Sequence, residues 1–261
     1  MNTVSVIVPA HRLDRWLDEA VESALASIGP TPEVVVVLNG VAELGSRAWM
    51  ESAHVRLIHS PEPLGPTLAM IRGVQAAEGD LIGRLDADDR MRPERLAAQV
   101  EYLNSHPDTP IVGTAVLRIT EHGEPAGPIR VPTGDDVRHH LVLSNTVTHS
   151  SVLMRRSSLD AVGGYDPELL QMEDYDLILR LGQLGPVAVL PDELTEYRLH
   201  PGQISRGARP TGVHIYKVIA QRRRLGAAIG MPAIAVGARN LLWRTVQFTR
   251  YWRVTKPGHE Y

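Results

Sequence analysis

Apolar residues fall into short β-branched runs separated by stretches with helical spacing, and the two patterns alternate from the N-terminus onward. The runs VSVIVP (4–9) and VVVVL (34–38) are continuous, which predicts strands buried on both faces. Between them Leu13, Trp16, Leu17, Ala20, Val21, Ala24 and Leu25 recur at helical spacing. A second helix is predicted after Gly40, then a strand at VRLIHS (55–60), a helix over 64–77 and a strand at LIGRLD (81–86). This β-α-β-α-β-α-β order implies a mostly parallel sheet with helices on both faces. Such sheets bind ligands beyond the carboxyl ends of their strands, which directs the search to residues 9–12, 38–40 and 86–90.

Beyond this half the pattern predicts a helix over 93–105, a strand over 111–119 and a turn-rich excursion at Gly123, Pro125, Gly127 and Pro128. SVLMRR (151–156) reads as a strand, 174–181 as a helix, and VAVL and EYRL as short strands. The segment GQISRGARPTG (202–212) is the best linker candidate, with two helical segments after it.

Composition adds one asymmetry. Through Glu196 the chain holds 15 Lys+Arg against 29 Asp+Glu; from Tyr197 onward it holds 12 against one. The apolar content of 43% is ordinary for a globular protein and excludes wholesale disorder. No run approaches the roughly 18–20 apolar residues that span a bilayer. The first residues carry no basic start and their apolar run stops at Pro9, so no secretory leader is expected and a cytoplasmic location is. The absence of cysteine rules out disulfides, thiolate nucleophiles and Cys-ligated zinc.

The strongest chemical signal is Asp86-Ala87-Asp88-Asp89 at the end of a predicted strand. Carboxylates clustered there repel unless a cation matches them, and Mg²⁺ or Mn²⁺ shared with phosphate oxygens is the economical solution. The plain alternative is a solvated acidic turn that caps the next helix. An EF-hand fails, because Met91 and Ala97 stand where its glycine and closing glutamate belong. The second signal is Glu173-Asp174-Tyr175-Asp176. Neighbours on a helix point about 100° apart, so one of Glu173 and Asp174 can face a cleft while the other orients it. Its plain alternative is an acidic first turn that complements the helix dipole. Arg198 and His200, in YRLHPGQIS, are candidates for phosphate and metal respectively, and His149 is either a further candidate or a hydrogen-bonded structural residue. His139-His140 reads as solvated surface. There is no G-x-G, no G-x-x-x-x-G-K-[ST], no G-x-S-x-G and no H-E-x-x-H, which argues against dinucleotide dehydrogenases, P-loop enzymes, α/β-hydrolases and zincins.

With these residues in hand, the chain resembles the inverting family 2 glycosyltransferases of the GT-A fold. The resemblance rests on seven motifs in order: VSVIVPAHR, EVVVVLNG, LGPTLAMIRGVQAAEGDLIGRLDADD, PERLAAQVEYL, SVLMRRSSLDAVGGYD, EDYDLILRL and YRLHPGQIS. It implies an α/β fold with a GT-A-type, Rossmann-like, mostly parallel sheet flanked by helices and followed by a C-terminal helical tail. It implies a catalytic domain over 1–205, with a nucleotide-sugar half at about 1–105 and an acceptor half at about 106–205, and a basic helical extension over 206–261. By the resemblance, Asp88 is the metal-binding aspartate and Asp86 its partner near the donor ribose. Pro9, Ala10, His11, Asn39 and Ala87 would line the donor site. Asp89 and Arg198 would stand near the diphosphate or support those that do, and His200 would contact metal or diphosphate. Asp174 matches the general base, and Glu173 would orient the acceptor or support Asp174. The implied cofactor is Mn²⁺ or Mg²⁺. The implied partners are a nucleotide-sugar donor and a carbohydrate or lipid-linked acceptor in polysaccharide, glycolipid or related synthesis. Two departures stand out: Leu38-Asn39 replaces an acidic pair or Asp-Asn, and Met70-Ile71 replaces a pair ending in asparagine.

Two other functions stay open at this point. A sugar nucleotidyltransferase would need a Gly-rich basic loop where this chain has PAHRLDRW. A non-catalytic sugar-nucleotide-binding or scaffold protein is motivated by Leu38 and Met70, and opposed by the retained DADD and EDYD. The basic tail reads either as two helices with a solvated or charge-compensating arginine face, or as an attachment to an anionic membrane surface, peripheral on the inner face. Arg222-Arg223-Arg224 and the aromatics of RNLLWRTVQFTRYWR favour the second reading, and Trp243 and Val246 near the arginine arc weaken it. No nucleic acid is expected.

Overall fold

The computed structural model describes residues 2–202, 209 and 212–254, without the side chains of 253 and 254. The first half is built as its pattern dictates, except after Gly40. Strand β1 (Val4–Ala10) leads through helix α1 (Arg15–Leu25) to β2 (Glu33–Asn39), and β3 (Val55–Ser60) follows. Helix α2 (Pro66–Ala76) then leads to β4 (Leu81–Arg84), and all four strands pair in parallel in the order β3-β2-β1-β4. Asp14 starts α1 by accepting the backbone N–H groups of Trp16 and Leu17 at 3.1 and 3.2 Å. Valine fills β2 because both of its faces are covered. Val34, Val36 and Leu38 enter the layer under α1, while Val35 and Val37 enter the layer under α2. Gly73 lets α2 settle on the sheet, since a Cβ there would stand 2.4 Å from Ile7 Cγ2.

The helix predicted after Gly40 does not form. A single 3₁₀ turn, Ala48–Glu51, stands in its place. The segment is pinned to α1 instead: Arg47 donates to the Leu13 carbonyl at 2.8 Å, and buried Trp49 donates to Asp18 Oδ1 at 2.8 Å.

The second half mixes strand directions. After the two-residue β5 (Arg90–Met91) come α3 (Arg95–Ser105), β6 (Ile111–Ile119), β7 (Pro125–Ile129) and the single turn α4 (Arg138–Leu141). Next come β8 (Leu153–Arg155), α5 (Arg156–Ala161), α6 (Glu173–Leu181) and β9 (Val187–Arg198). Strand β8 runs antiparallel between β4 and β6, β9 runs parallel to β6, and β5 and β7 pair antiparallel with β9 and β6. The sheet, expected to be mostly parallel, is parallel in its first half and at β6–β9, and antiparallel where β8, β5 and β7 pair. The two short strands predicted at VAVL and EYRL are one strand, because register shifts around Ala115 accommodate Pro191 and Asp192. Arg95 and Gln99 of α3 bind the splice between the halves. Arg95 donates to the carbonyls of Ser150, Arg84 and Val152, and Gln99 donates to those of Val112 and Ser151. Burial lowers the Arg95 pKa to about 9.

Apart from Gly202, Arg209 and Gly212, the linker expected at 202–212 lies outside the described residues. Two helices follow, α7 (Val213–Ala228) and α8 (Ala233–Val254). They share a core with α6, to which Ile215, Val218, Leu225, Val236 and Trp243 contribute beside Tyr175 and Leu177. The arginine run does not form one solvated face, since Arg222 is fully buried while Arg223 and Arg224 are exposed. Arg222 donates to the carbonyls of Val142, Leu143 and Arg239, and its guanidinium lies 4.7 Å over the Trp243 ring. No helix among the described residues is long and apolar enough to cross a membrane.

Candidate active site

The acidic loop turns sharply after β4: the Asp89 N–H donates to the Asp86 carbonyl at 3.1 Å, and the Asp86 N–H donates to Ser150 Oγ at 2.9 Å. Each of Asp86, Asp88 and Asp89 offers one oxygen within 4.8 Å of the others. Burial raises the Asp89 carboxyl well above its usual range, reinforced by the charges of Asp86 and Asp88. Burial also raises Asp86, against the pull of Arg84, with which it forms an ion pair. Three oxygen donors in mutual repulsion fit a hard divalent cation better than they fit one another.

Two residues of β9 and its exit hold this loop. Arg198 is fully buried and turned inward. It donates from Nε to the Asp88 carbonyl at 2.8 Å and from its backbone to Asp89 Oδ1 at 2.9 Å, and it pairs with Glu19 of α1. Its guanidinium is thus directed at the acidic loop and at Glu19. His200 Nε2 stands 2.8 Å from Asp88 Oδ2, with its ring 4.4 Å from that of Trp16.

The second acidic motif opens α6. Met172 enters the helix at φ 61, the one left-handed non-glycine among the described residues. The motif then divides. Tyr175 is buried and donates to the Leu141 carbonyl, and buried Asp176 pairs with Arg180 at 2.7 Å, whereas Asp174 lines a cleft. Asn145 Nδ2 donates to Asp174 Oδ2 at 2.9 Å. Burial raises the Asp174 pKa, opposed by the Tyr175 N–H, the Arg84 charge and Asn145. Burial and the neighbouring Asp174 push Glu173 up to about 7.

The cleft has a volume of about 480 Å³ and is lined by Asp86, Asn145, His149, Asp174 and Tyr197 among others. It joins the loop after β4 to the start of α6. His149 contacts the Tyr165 hydroxyl at 2.7 Å through Nε2 and is held neutral, since burial and then the Arg84 charge lower its pKa well below the ordinary value.

The profile described as "Glycosyl transferase family 2" matches residues 5–163, more than half of the chain. The chain belongs to this family. Among curated relatives of this glycosyltransferase, the amylovoran biosynthesis glycosyltransferase AmsE of Erwinia amylovora is 28% identical over 235 residues, covering 88% of this chain and 87% of the relative. The O-antigen biosynthesis glycosyltransferase WbnJ of Escherichia coli is 26% identical over 216 residues, covering 80% and 84%. Among solved structures, S. aureus TarS 1–349 in complex with UDP-GlcNAc superposes with a TM-score of 0.70 at 17% identity, covering 97% of this chain and 76% of that one. The superposition carries the GT-A glycosyltransferase fold.

In this glycosyltransferase the residues expected to bind the donor do not behave alike. Pro9 and Ala10 end β1 and His11 follows it, with Ala10 buried and His11 exposed. Asn39 spends its amide internally, accepting the Leu64 N–H and donating to the Gly65 carbonyl at 3.2 Å, so it fixes the loop ahead of α2. Met70 is buried core rather than part of a binding surface. Two residues passed over in the sequence matter most. Arg84 is a buried cation whose charge acts on Asp86, Asp89, His149, Glu173 and Asp174, and Asn145 holds Asp174. An arginine inside a buried strand two residues before the acidic loop was the available signal for Arg84. Asn145 carried none, for its partner lies 29 residues away.

Proposed function

We propose that this glycosyltransferase moves a sugar from a nucleotide-sugar donor to an acceptor hydroxyl by a single displacement with inversion. The reading is carried by one observation: Asp86 and Asp174, drawn from distant motifs, line the same cleft. Asp174 takes the acceptor proton as the hydroxyl oxygen bonds to the anomeric carbon, and the bond from that carbon to the diphosphate breaks, releasing the nucleoside diphosphate. Its partial shielding from water brings its basicity closer to neutrality, and Asn145 aims it. Glu173 supports Asp174 and the acceptor. Asp88, with Asp86 and Asp89 beside it, would hold Mg²⁺ or Mn²⁺, and His200 steadies Asp88. When bound, that ion supplies Lewis-acid neutralisation of the diphosphate. Asp86, Ala87, Asn39 and residues 9–11 form the donor side, within a nucleotide-sugar half at about 1–105. Residues 106–205 form the acceptor side.

The acceptor in this reading is a carbohydrate or a lipid-linked one, in cell-surface polysaccharide or related synthesis; the amylovoran and O-antigen biosynthesis relatives support the polysaccharide part. A cytoplasmic enzyme with its basic extension, 206–261, toward the inner membrane face suits such an acceptor. The test is a thermal-shift panel of UDP-, GDP- and dTDP-sugars with and without Mn²⁺, followed by a transfer assay that assigns the product anomer by NMR. Metal-independent binding, or a product of retained configuration, overturns the corresponding part of the reading.

A further inference from the structure

Helix α8 is built with its more apolar seam outward. The side chains it buries, Val236, Asn240, Trp243 and Gln247, include two amides. On nearly the opposite face, Ile234, Leu241, Phe248 and Trp252 are 85%, 68%, 49% and 52% exposed. With Ala238 and Thr245 between them, these positions repeat at alternating spacings of four and three, so they form one straight stripe about 27 Å long. The Phe248 and Trp252 rings lie 5.7 Å apart and make a joined aromatic wedge at one end. A helix that faces only water carries the reverse distribution. Trp243, which spoiled the amphipathic pattern in the sequence, is turned into the protein under Arg222.

We infer that this stripe is a membrane-contact surface: α8 lies in the plane of an anionic lipid surface, with Ile234, Leu241, Phe248 and Trp252 inserted at the headgroup boundary. This deepens the membrane-facing part of the proposed function, and its test requires no turnover. Charge selects the occupant. Residues 213–254 contain eight Lys+Arg and no acid, and Arg244 and Arg250 are exposed on α8 itself. Anionic lipid complements that charge, whereas a second copy would bring like charges together. Aromatic side chains with polar tips or edges, such as Trp252, favour the water–lipid boundary. The contact therefore comes from apolar insertion aided by exposed arginines. It does not come from the Arg222–Arg224 run as a unit, whose first member is buried.

The experiment is co-sedimentation of the full chain with phosphatidylethanolamine–phosphatidylglycerol vesicles and with phosphatidylcholine vesicles. It compares the wild type with the triple variant Leu241→Gln, Phe248→Gln, Trp252→Gln. All three positions are exposed, so the variant is expected to keep its circular dichroism spectrum and Tm. The expected result is binding to the anionic vesicles only, weakened at least roughly tenfold in the variant. Equal binding by variant and wild type, or no wild-type binding at low salt, overturns the inference. So does a wild-type dimer that the triple variant converts to monomer, which would assign the stripe to a second copy. Loss of transfer activity with vesicle binding intact would count against the proposed reaction and leave the surface standing.

Discussion

Asp88 Oδ2 and His200 Nε2 meet at 2.8 Å across 112 residues of chain. The contact ties the acidic loop to the segment leaving β9, and the Trp16 ring lies against that of His200, tilted by 43°. Groups that orient a metal ligand commonly contribute 10–100-fold to affinity. His200→Ala is therefore expected to weaken Mn²⁺-dependent donor binding by about that factor, read as the metal concentration at half-maximal thermal shift. An unchanged value would remove His200 from the site.

Asp174→Asn keeps the shape of the side chain and removes the proposed proton acceptor. Turnover is expected to fall roughly 10²–10⁴-fold, while donor binding by titration stays as in the wild type. Asp88→Ala is expected to lose both. Full activity in either variant would reassign that aspartate.

The proposed base, Asp174, would work only when ionised, so the rate is expected to rise with pH through the transition of the Glu173–Asp174 pair. Asn145 stabilises the charged form of Asp174. Asn145→Ala should therefore move that limb to higher pH, and a limb that stays fixed with a lowered rate would show Asn145 to be only structural.

Stability responds with the opposite sign. Glu173 rises from 4.5 to about 7 in the folded chain, which therefore keeps a proton that the unfolded chain releases between those values. Folding stability contributed by this group is present below pH 4.5 and is lost as pH rises through about 7. Glu173→Gln should add up to roughly 3 kcal/mol at pH 8 and little at pH 4. Urea denaturation at the two pH values checks this, and an equal effect at both would refute it.

Arg222 and Arg223 are neighbours with opposite fates. Arg222→Ala leaves the carbonyls of Val142, Leu143 and Arg239 without their donor and opens space over Trp243. A loss of about 3–5 kcal/mol is expected, against about 0.5 or less for exposed Arg223→Ala. Denaturation midpoints that match would show the burial of Arg222 to be energetically idle.

The strands at 55–60 and 111–119 were legible to the residue, and β1 and β2 to within one residue at either end, where burial on both faces writes a nearly unbroken apolar run into β1 and β2. The helix expected after Gly40 failed because Trp49 and Arg47 satisfy themselves against α1 without helical spacing. Strand pairing left no local trace: nothing in LMR says that it runs antiparallel between β4 and β6. In the site, Asp86, Asp88 and Asp174 announced themselves as carboxylates in clusters. Arg84 and Asn145 act through partners brought near only by folding. The contacts of Asn39 with Leu64 and Gly65 belong to a turn that the sequence does not spell out.

The inward anchor of Arg198 also sets an order of assembly during synthesis. Asp89, at the heart of the acidic loop, receives the Arg198 N–H only after 109 more residues have been made, and the Glu19 partner waits longer still, across 179. Until β9 leaves the ribosome, the nascent N-terminal half holds a carboxylate destined for full burial with no amide to meet it. The loop that would grip the donor is thus among the last parts of its half to close. A ribosome-bound fragment ending before Arg198 would carry the acidic residues in sequence and lack the site in space.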